Sequence, residues 1–274
     1  MKGTGLPKLS IITITYNSEA YLEDTIKSVL SQDYTEFEYL IIDGASKDKT
    51  VDIIKSYASE DTRIKWVSEP DKGISDAFNK GIALASGEIV GIINSDDRYL
   101  PGAFSHVMKA YNSNPSFDVF HGDMLRLQGE KVLFHLVPAD VKTHIWREMP
   151  VNHPTVFVTK KVYEKVGGFE LESRIAMDYD LVLRLYKAGF KFCYIPEPLA
   201  AMRYGGASDT GYMEGLREVR RMTIREGYPI YKAWFWFGYK AIISTIKNVL
   251  RALGLNSLLK LHPRFRSHTE PTDN

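Results

Sequence analysis

The sequence predicts an α/β fold, a mainly parallel sheet flanked by helices, with a helical appendage at the C-terminal end. Apolar β-rich runs alternate with amphipathic helical patterns in the first part of the chain, and such alternation produces parallel strands with helices on both faces. The 274 residues are 44% hydrophobic and 25% charged, an ordinary globular composition. After Gly227 aromatic and basic residues crowd together, and acidic residues are nearly absent until the last positions.

Strands and helices of the first part follow from their hydrophobic spacing. Continuous apolar runs predict buried strands, and apolar residues at helical spacing, such as Leu22, Ile26 and Val29, predict helices. Ser18 is expected to cap the first helix. The predicted strands are residues 9–15, 37–43, 63–68 and 88–93, and the predicted helices are residues 18–31, 47–59 and 74–86.

The second part predicts an α+β layer built on the first. Hydrophobic spacing again separates strands from helices, and Pro229 separates the last two helices. The predicted strands are residues 118–127, 131–137, 154–159, 191–195 and 199–203, and the predicted helices are residues 101–113, 160–166, 178–188, 210–226 and 230–252.

Charge and cysteine content restrict the classes of function. A net charge of +1 argues against a nucleic-acid binder held by a global positive field. The single cysteine, Cys193, rules out an internal disulfide and fits a reducing compartment. No cleavable signal peptide is visible, and no segment has the roughly 18 consecutive apolar residues of a membrane span. We therefore expect a cytoplasmic protein.

Each of the first four predicted strands ends in polar residues. Ligands bind at the carboxyl ends of strands in doubly wound sheets. An aromatic ring, a carboxylate, a lysine and a carboxylate pair would suit a base, a ribose, a diphosphate and a divalent ion. Taken singly, each segment is also an ordinary turn or strand end. The four segments are TITYN at 13–17, DGAS at 43–46, EPDKG at 69–73 and NSDD at 94–97.

Two adjacent carboxylates, Asp96 and Asp97, follow the apolar run 89–93. Either the strand has reached solvent, or a cation binds there, because neighbouring anions repel. Neither glycine-rich phosphate-binding motif is present, so a cation would have to neutralise any bound phosphates. Mg²⁺ and Mn²⁺ bind through one or two carboxylates plus substrate phosphates. The pair therefore favours a divalent-metal site.

Several longer stretches carry a family resemblance. They are SIITITYNSEAYLEDTIKSVLSQ, EYLIIDGASKDKTVDII, SEPDKGISDAFNKGIALASGEIVGIINSDD, HPTVFVTKKVYEKVGGF and AMDYDLVLRL. In this order they resemble the family 2 glycosyltransferases, which have the GT-A fold, from residue 9 to about residue 206. The resemblance is to the bacterial subgroup that builds cell-surface polysaccharide or O-antigen. It implies a catalytic domain over 1–226, with a nucleotide-binding half at 1–97 and an acceptor half at 98–226.

The resemblance implies a role for individual residues. Asp178, in AMDYD, falls at the position of the catalytic base, although Met177 replaces the acidic neighbour that many relatives have. Asn94 likewise replaces an aspartate common in relatives. The resemblance also implies that Thr15 and Tyr16 contact the base and that Asp43 accepts a hydrogen bond from its edge. Lys72 and Asp76 would contact the ribose and the diphosphate, and Asp96 the ribose or the donor sugar. Asp97 would be a ligand of Mn²⁺ or Mg²⁺.

Two further residues are candidates on their own chemistry. His153 could approach the acceptor or the diphosphate, although a histidine before a strand is more often structural. Arg203 precedes a glycine-containing loop that could close over the donor and bring its guanidinium to a phosphate. Asp178 and Asp180 are both also explicable as acids at a helix start.

The implied activity is the transfer of a sugar to a hydroxyl of a lipid-linked saccharide, with inversion and with the help of a metal ion. The expected donor is a UDP-hexose. The alternatives are a sugar nucleotidyltransferase, which would need a basic glycine-rich loop that is absent, and a catalytically inert scaffold. The basic aromatic tail at 227–274 predicts a helix lying in a membrane interface. Its alternative is packing on the domain or on a second subunit. A peripheral location on the inner face of the cell membrane is expected.

Overall fold

Strands and helices alternate through the described part of the chain, residues 8–205 and 211–252 of a computed structural model, with side chains described to residue 246. The strands are β1 (Leu9–Thr15), β2 (Phe37–Asp43), β3 (Ile64–Ser68), β4 (Ile89–Ile92), β5 (Arg98–Tyr99), β6 (Val119–Gln128), β7 (Lys131–Leu136), β8 (Phe157–Thr159) and β9 (Phe192–Arg203). The helices are α1 (Leu22–Leu30), α2 (Thr50–Glu60), α3 (Ile74–Leu84), α4 (Ala103–Ser113), α5 (Val141–His144), α6 (Lys160–Val166), α7 (Met177–Lys187), α8 (Tyr212–Arg225) and α9 (Ile230–Ala252).

All described strands belong to one sheet, in the order β3-β2-β1-β4-β8-β6-β9-β5, with β7 beside β6. Strands β1 to β4 are mutually parallel, which brings their carboxyl ends to one edge. Strand β8 is antiparallel to both β4 and β6, whereas β6 and β9 are parallel. The predicted α/β class is confirmed. The parallel pattern holds through β4, and the sheet becomes mixed beyond it.

Both faces of the sheet are covered, as the continuous apolar strands predict. In β1, Leu9 and Ile11 enter one buried cluster with α1 and α4, while Ile12 enters a second cluster with α3 and α7. Side chains alternate between faces along a strand, so a strand buried on both sides must be apolar at successive positions. Each fully buried leucine or isoleucine contributes roughly 1.5–3 kcal/mol. The helices packed on the two faces of the sheet thus hold in place the strand ends that carry the polar residues.

The start of α1 differs from the prediction. The helix begins at Leu22, and Tyr21, without a side-chain cap, precedes it. The Ser18 hydroxyl instead accepts the Tyr16 N–H at 3.2 Å and shares a hydrogen bond with the Ser95 hydroxyl at 2.8 Å. The expectation that Ser18 caps the helix is wrong, because its hydroxyl joins the turns that follow β1 and β4.

One predicted strand is shorter than expected, because of a proline, and two others form a single strand. Pro154 has no N–H to give to a sheet, and His153–Thr155 forms a 3-10 turn before β8 begins at Phe157. In the second case the two strands expected at 191–195 and 199–203 form one strand, β9, which continues through Pro196 and Pro198. The register against β6 shifts on both sides of Asp123, which accommodates the prolines.

A buried carboxylate, Glu38, joins three strands and a loop. Its Oε1 accepts the Ser10 hydroxyl at 2.7 Å and the Ser86 N–H at 2.6 Å, and its Oε2 lies 2.7 Å from Lys65 Nζ. Burial acts to raise the pKa of Glu38, but these donors outweigh it and lower the pKa from 4.5 to about 2. The ionised carboxylate is therefore the form that stabilises the fold.

We expect Glu38→Gln to lower the free energy of unfolding by about 2–3 kcal/mol at pH 7, because one pKa unit corresponds to about 1.4 kcal/mol. The folded pKa lies below the ordinary value, so this contribution is complete above about pH 4.5 and is lost as the pH falls towards 2. Urea unfolding at pH 7 and pH 3 should show the difference from wild type shrinking at pH 3. Glu60→Gln, at the exposed end of α2, is the control. An equal loss at both pH values would contradict the assignment.

Candidate functional site

A cavity of about 620 Å³ opens beside the carboxyl ends of β1 and β4, within the size range of small-molecule sites. Its walls come from these strand ends, from the start of α3, from the 3-10 turn and from the start of α7. The polar residues of its lining are Thr15, Tyr16, Ser18, Asp71, Asn94, Ser95, Asp96, His153, Arg174 and Asp178.

One end of the pocket carries an exposed aromatic ring. The Tyr16 side chain is 64% exposed and lies beside Gly44 and Asp71. A Cβ atom at Gly44 would lie 2.4 Å from the Asp71 Oδ2 atom, so no larger residue fits without a shift. Asp71 itself is fixed, since its Oδ1 accepts the Gly73 N–H at 2.8 Å. An open ring beside a fixed carboxylate suits a planar base and a sugar hydroxyl. Asp71 was not predicted as a site residue, although its position after β3 was the available signal.

The Asp43 carboxylate lies behind this end of the pocket. It is fully buried, and its Oδ1 accepts the Thr15 hydroxyl at 2.9 Å. Its Oδ2 accepts the Ser46 N–H at 3.0 Å and the Ser68 hydroxyl at 2.6 Å. In this arrangement Asp43 orients Thr15, which does line the pocket. Direct contact of Asp43 with a base stays a prediction.

Lys72 and Asp76 lie outside the pocket lining. The Lys72 N–H donates to the Asp76 Oδ2 atom at 3.0 Å, and the Lys72 side chain is exposed. Asp76 also lies 3.6 Å from the Lys80 ammonium. The two residues thus shape the turn that begins α3, and their contacts with ribose or diphosphate stay predictions.

The two carboxylates after β4 have different surroundings. Asp96 is half-buried and lines the pocket, whereas Asp97 is only 2% exposed and does not. The Asp97 Oδ1 atom accepts the Arg203 N–H at 3.1 Å. Burial and the neighbouring Asp96 charge raise the pKa of Asp97 to about 8, against the opposing effect of that N–H. Asp96 is therefore the carboxylate that a cation in the pocket can reach.

Hydrogen bonds from distant segments fix the turn that carries this pair. The buried Thr25 hydroxyl lies 2.9 Å from the Ser95 carbonyl oxygen and 2.6 Å from that of Asp97. Ser18 holds the Ser95 hydroxyl from another side. The residues on either side of Asp96 are thus held by α1 and by the turn after β1.

Asp178 faces the same pocket from the first turn of α7. Its Oδ1 atom accepts the Tyr179 N–H at 2.7 Å. His153 also lines the pocket, and its ring centre lies 5.8 Å from that of Phe78. Burial lowers the pKa of His153, although the Asp178 charge opposes the shift. A neutral imidazole and a carboxylate therefore share this end.

Arg203 does not line the pocket. Its guanidinium lies 2.7 Å from the Asp24 Oδ2 atom and 3.2 Å from the Glu130 Oε1 atom, and it stacks over the Tyr21 ring at 4.6 Å. These contacts tie α1 to the turn between β6 and β7. The contact of Arg203 with a phosphate stays a prediction. The predicted glycine-containing loop after it includes residues 206–210, which lie outside the described residues.

The segment before Asp178 is held by a buried residue of α8. Glu218 is 2% exposed, and its carboxylate accepts the N–H groups of Arg174, Ile175 and Ala176 at 3.0, 3.0 and 2.8 Å. Arg174 and Ile175 line the pocket. Neither these residues nor Glu218 was predicted, because the contact joins positions far apart in the sequence and follows no local pattern.

The donor atoms present are compatible with a divalent ion bound together with a ligand. Within the described ranges, no group of three or more His, Cys, Asp or Glu side chains could hold a metal by itself. Asp96, Asn94 and Ser95 nevertheless present oxygen atoms at one wall. Mg²⁺ and Mn²⁺ commonly use one or two carboxylates and take their other ligands from water and substrate phosphates.

Comparison with known proteins decides the family. The sequence pattern of Glycosyl transferase family 2 matches residues 10–163, more than half of the chain. The chain belongs to glycosyltransferase family 2. The matched range includes the NSDD segment and His153 and ends before Asp178.

Two relatives illustrate the range of the family. An uncharacterized glycosyltransferase of Mycobacterium tuberculosis (strain H37Rv) is 33% identical over 184 residues, which cover 66% of this chain and 70% of that protein. The GalNAc(5)-diNAcBac-PP-undecaprenol beta-1,3-glucosyltransferase of Campylobacter jejuni is 36% identical over 109 residues, or 39% of this chain and 35% of that protein.

Solved structures confirm the predicted GT-A fold. The mannosyltransferase PcManGT from Pyrobaculum calidifontis, solved with GDP-Man and Mn²⁺, matches with a TM-score of 0.67 at 17% identity, covering 96% of this chain and 83% of that one. S. aureus TarS 1-349, solved with UDP-GlcNAc, matches with a TM-score of 0.64 at 19% identity, covering 82% and 69%. At these identities the likeness extends to the fold alone.

We expect Glu218→Gln to loosen the segment that carries Arg174 and leads into Asp178. An amide side chain accepts at one oxygen only, and its NH₂ group would face backbone donors, so the free energy of unfolding should fall by about 1–3 kcal/mol. Hydrogen exchange should quicken at the amides of residues 174–176 more than at the amides within α7. Glu214→Gln, on the exposed side of α8, is the matched control. Unchanged exchange at 174–176 would contradict the role of Glu218.

Proposed function

We propose that this family 2 glycosyltransferase transfers a hexose from a UDP-sugar to a hydroxyl of a lipid-linked saccharide, with inversion, in cell-surface polysaccharide synthesis. One observation carries the proposal: Asp96 and Asp178, from separate halves of the chain, line the same pocket with the Tyr16 ring. This combination offers a cation ligand, a general base and a surface for a base to stack on.

The nucleotide end of the proposed site is formed by Tyr16, Thr15 and Asp71. Aromatic side chains stack on nucleobases, and a fixed carboxylate can accept ribose hydroxyls. PcManGT was solved with GDP-Man and TarS with UDP-GlcNAc, which supports a nucleotide-sugar donor. Uracil is the base that we propose, and UDP, GDP and dTDP can be compared directly in binding experiments.

Asp96 is the first candidate ligand for Mn²⁺ or Mg²⁺, with Asn94 and Ser95 beside it. The sequence assigned this role to Asp97, but that carboxylate is buried and already accepts the Arg203 N–H. We therefore propose that Asp97 supports the turn while Asp96 holds the ion. A divalent ion bound there would stabilise the negative charge that develops on the departing diphosphate.

Asp178 is the proposed general base. As the acceptor oxygen forms its bond to the anomeric carbon, the bond from that carbon to the diphosphate oxygen breaks, and the nucleoside diphosphate leaves with the electron pair. The Asp178 Oδ2 atom accepts the proton of the attacking hydroxyl, while its Oδ1 atom holds the Tyr179 N–H. A single base opposite the leaving group implies one displacement, so a UDP-α-sugar would give a β-linkage. His153 lies beside Asp178 and is neutral, so it would form a hydrogen bond with the acceptor as donor or as acceptor of the proton.

The acceptor proposal rests on the family relative and on α9. The Campylobacter jejuni relative is named for an undecaprenol-linked saccharide. Within the described ranges, no helix has the length and apolar character needed to cross a bilayer. One face of α9 nonetheless exposes apolar side chains at Tyr231, Phe235, Ile242 and Ile246, a spacing that places them on one side of the helix. We propose that this outer face lies in the membrane interface.

Three aspartate variants separate the proposed roles. We expect Asp178→Asn to slow metal-dependent hydrolysis or transfer of the UDP-sugar by about 10²–10⁴-fold, as the loss of a general base does, with UDP affinity unchanged. Asp96→Asn should weaken Mn²⁺-dependent UDP binding at least about tenfold, and Asp97→Asn should weaken it less, because Asp97 does not line the pocket and its Oδ1 atom already accepts the Arg203 N–H. Calorimetry with UDP and Mn²⁺ and a UDP-release assay provide both readouts.

Asp52→Asn is the control, since Asp52 is an exposed acid in the first turn of α2, as Asp178 is in the first turn of α7. If Asp97→Asn abolished metal-dependent binding and Asp96→Asn did not, the metal would belong to Asp97. A wild-type protein that bound no nucleotide would favour the inert scaffold. Consumption of a nucleoside triphosphate with a sugar phosphate would favour the nucleotidyltransferase.

We expect the double variant Phe235→Glu/Ile242→Glu to reduce binding to phosphatidylglycerol-containing vesicles by at least about tenfold, because burying a charge in the acyl boundary opposes the apolar gain. Vesicle co-sedimentation measures this effect, and UDP binding should not change. Val132→Glu, at an exposed apolar position on β7, is the control. Unchanged vesicle binding together with a smaller sedimentation mass would show that the face contacts a second subunit instead.

A further inference from the structure

The pocket has many acidic groups and few cations for a site proposed to bind a diphosphate. Three carboxylates line it, from Asp71, Asp96 and Asp178. Of the lining residues that the structure describes, Arg174 is the one lysine or arginine. His153 does not add a second cation, because burial lowers its pKa.

The two cations that the sequence predicted for phosphate are placed elsewhere. Lys72 is exposed outside the lining, and Arg203 is engaged with Asp24 and Glu130 while it covers the Tyr21 ring. Releasing Arg203 would break two ion pairs and a cation–π contact. A diphosphate in the pocket therefore meets Arg174 without any such rearrangement.

Arg174 combines an available side chain with a fixed backbone. Its side chain is exposed at the pocket, and within residues 8–205 and 211–252 no carboxylate forms an ion pair with its guanidinium. Its N–H group, and those of the next two residues, donate to the buried Glu218 carboxylate. The arginine is thus presented from a held segment, which lowers the entropy cost of binding.

We propose that Arg174 is a phosphate-binding residue of the pocket. This inference rests on the proposed function. The planar guanidinium fork matches the geometry of phosphate oxygens and can donate two parallel hydrogen bonds. The diphosphate has two possible sources with the same chemistry: the donor nucleotide, or the link between an acceptor saccharide and its lipid. Because Arg174 lies four residues before Asp178 and borders the same pocket, either diphosphate would lie close to the reacting centre.

The test compares Arg174→Gln, which removes the charge, with Arg174→Lys, which keeps it. In the donor arm, calorimetry with Mn²⁺ should show UDP affinity falling about 10–100-fold in Arg174→Gln, the usual range for a charge-assisted hydrogen bond. Uridine affinity should not change, and Arg174→Lys should recover part of the loss. If Arg174 instead binds the diphosphate of the acceptor, the UDP affinity of Arg174→Gln should equal that of wild type. The variant, saturated with UDP, should then bind geranyl diphosphate more weakly than wild type, and geraniol equally well.

Arg217→Gln is the matched control, because Arg217 is an exposed arginine of α8 paired with Glu214 and outside the pocket lining. Equal melting temperatures would show that the variants are folded. If neither UDP nor geranyl diphosphate binds Arg174→Gln more weakly than wild type, the assignment of Arg174 is overturned while the glycosyltransferase proposal stands. If wild type binds no nucleoside diphosphate at all, both fall.

Discussion

The turn after β4 is the constraint on which the site depends. Thr25 from α1, Ser18 from the turn after β1 and the Arg203 N–H from the end of β9 all bond to residues 95–97. These three contacts come from segments that are distant in sequence and that the sheet brings together. They force adjacent carboxylates into opposite environments, one towards the pocket and one into the protein. Of the two adjacent carboxylates, one lines the pocket and the other is an internal hydrogen-bond acceptor.

Buried carboxylates serve as backbone anchors in two other places. Glu38 holds the loop before β4 and Glu218 holds the segment before α7. Each satisfies N–H groups that no regular element would pair, which is how irregular segments can approach a site without leaving buried donors unpaired. Of the two, Glu218 holds a segment that lines the pocket, whereas Glu38 lies near the amino ends of β1 and β2, away from it.

The sequence was sufficient for the parallel half of the fold, because doubly buried strands must be continuously apolar and helices between them must be amphipathic. It also indicated Tyr16 and Asp96 from the ends of strands, and Asp178 through the family resemblance, and all three line the pocket. It gave Asp96 a sugar contact and Asp97 the metal, but it could not predict that Asp97 is buried against the Arg203 N–H, because that contact comes from the β9 backbone across the sheet. Arg174 and the anchor Glu218 were missed because their role lies in contacts between segments remote in sequence, whereas the position of Asp71 after β3 was a signal that the sequence offered. The single strand β9 escaped prediction because its prolines suggest a break, whereas a register shift absorbs them.

The inner face of α9 packs against α8, whereas its outer face is exposed. Ala233 is buried, Trp236 lies under the Arg147 guanidinium, and both border a small cavity with Leu216 and Val219 of α8. The helix α9 is thus packed on the rest of the protein. Removing the chain after residue 227 would expose the apolar side chains of α8 that α9 covers. Because Glu218 of α8 holds the segment before α7, such a truncation would also alter the wall of the pocket and not only remove the outer face of α9.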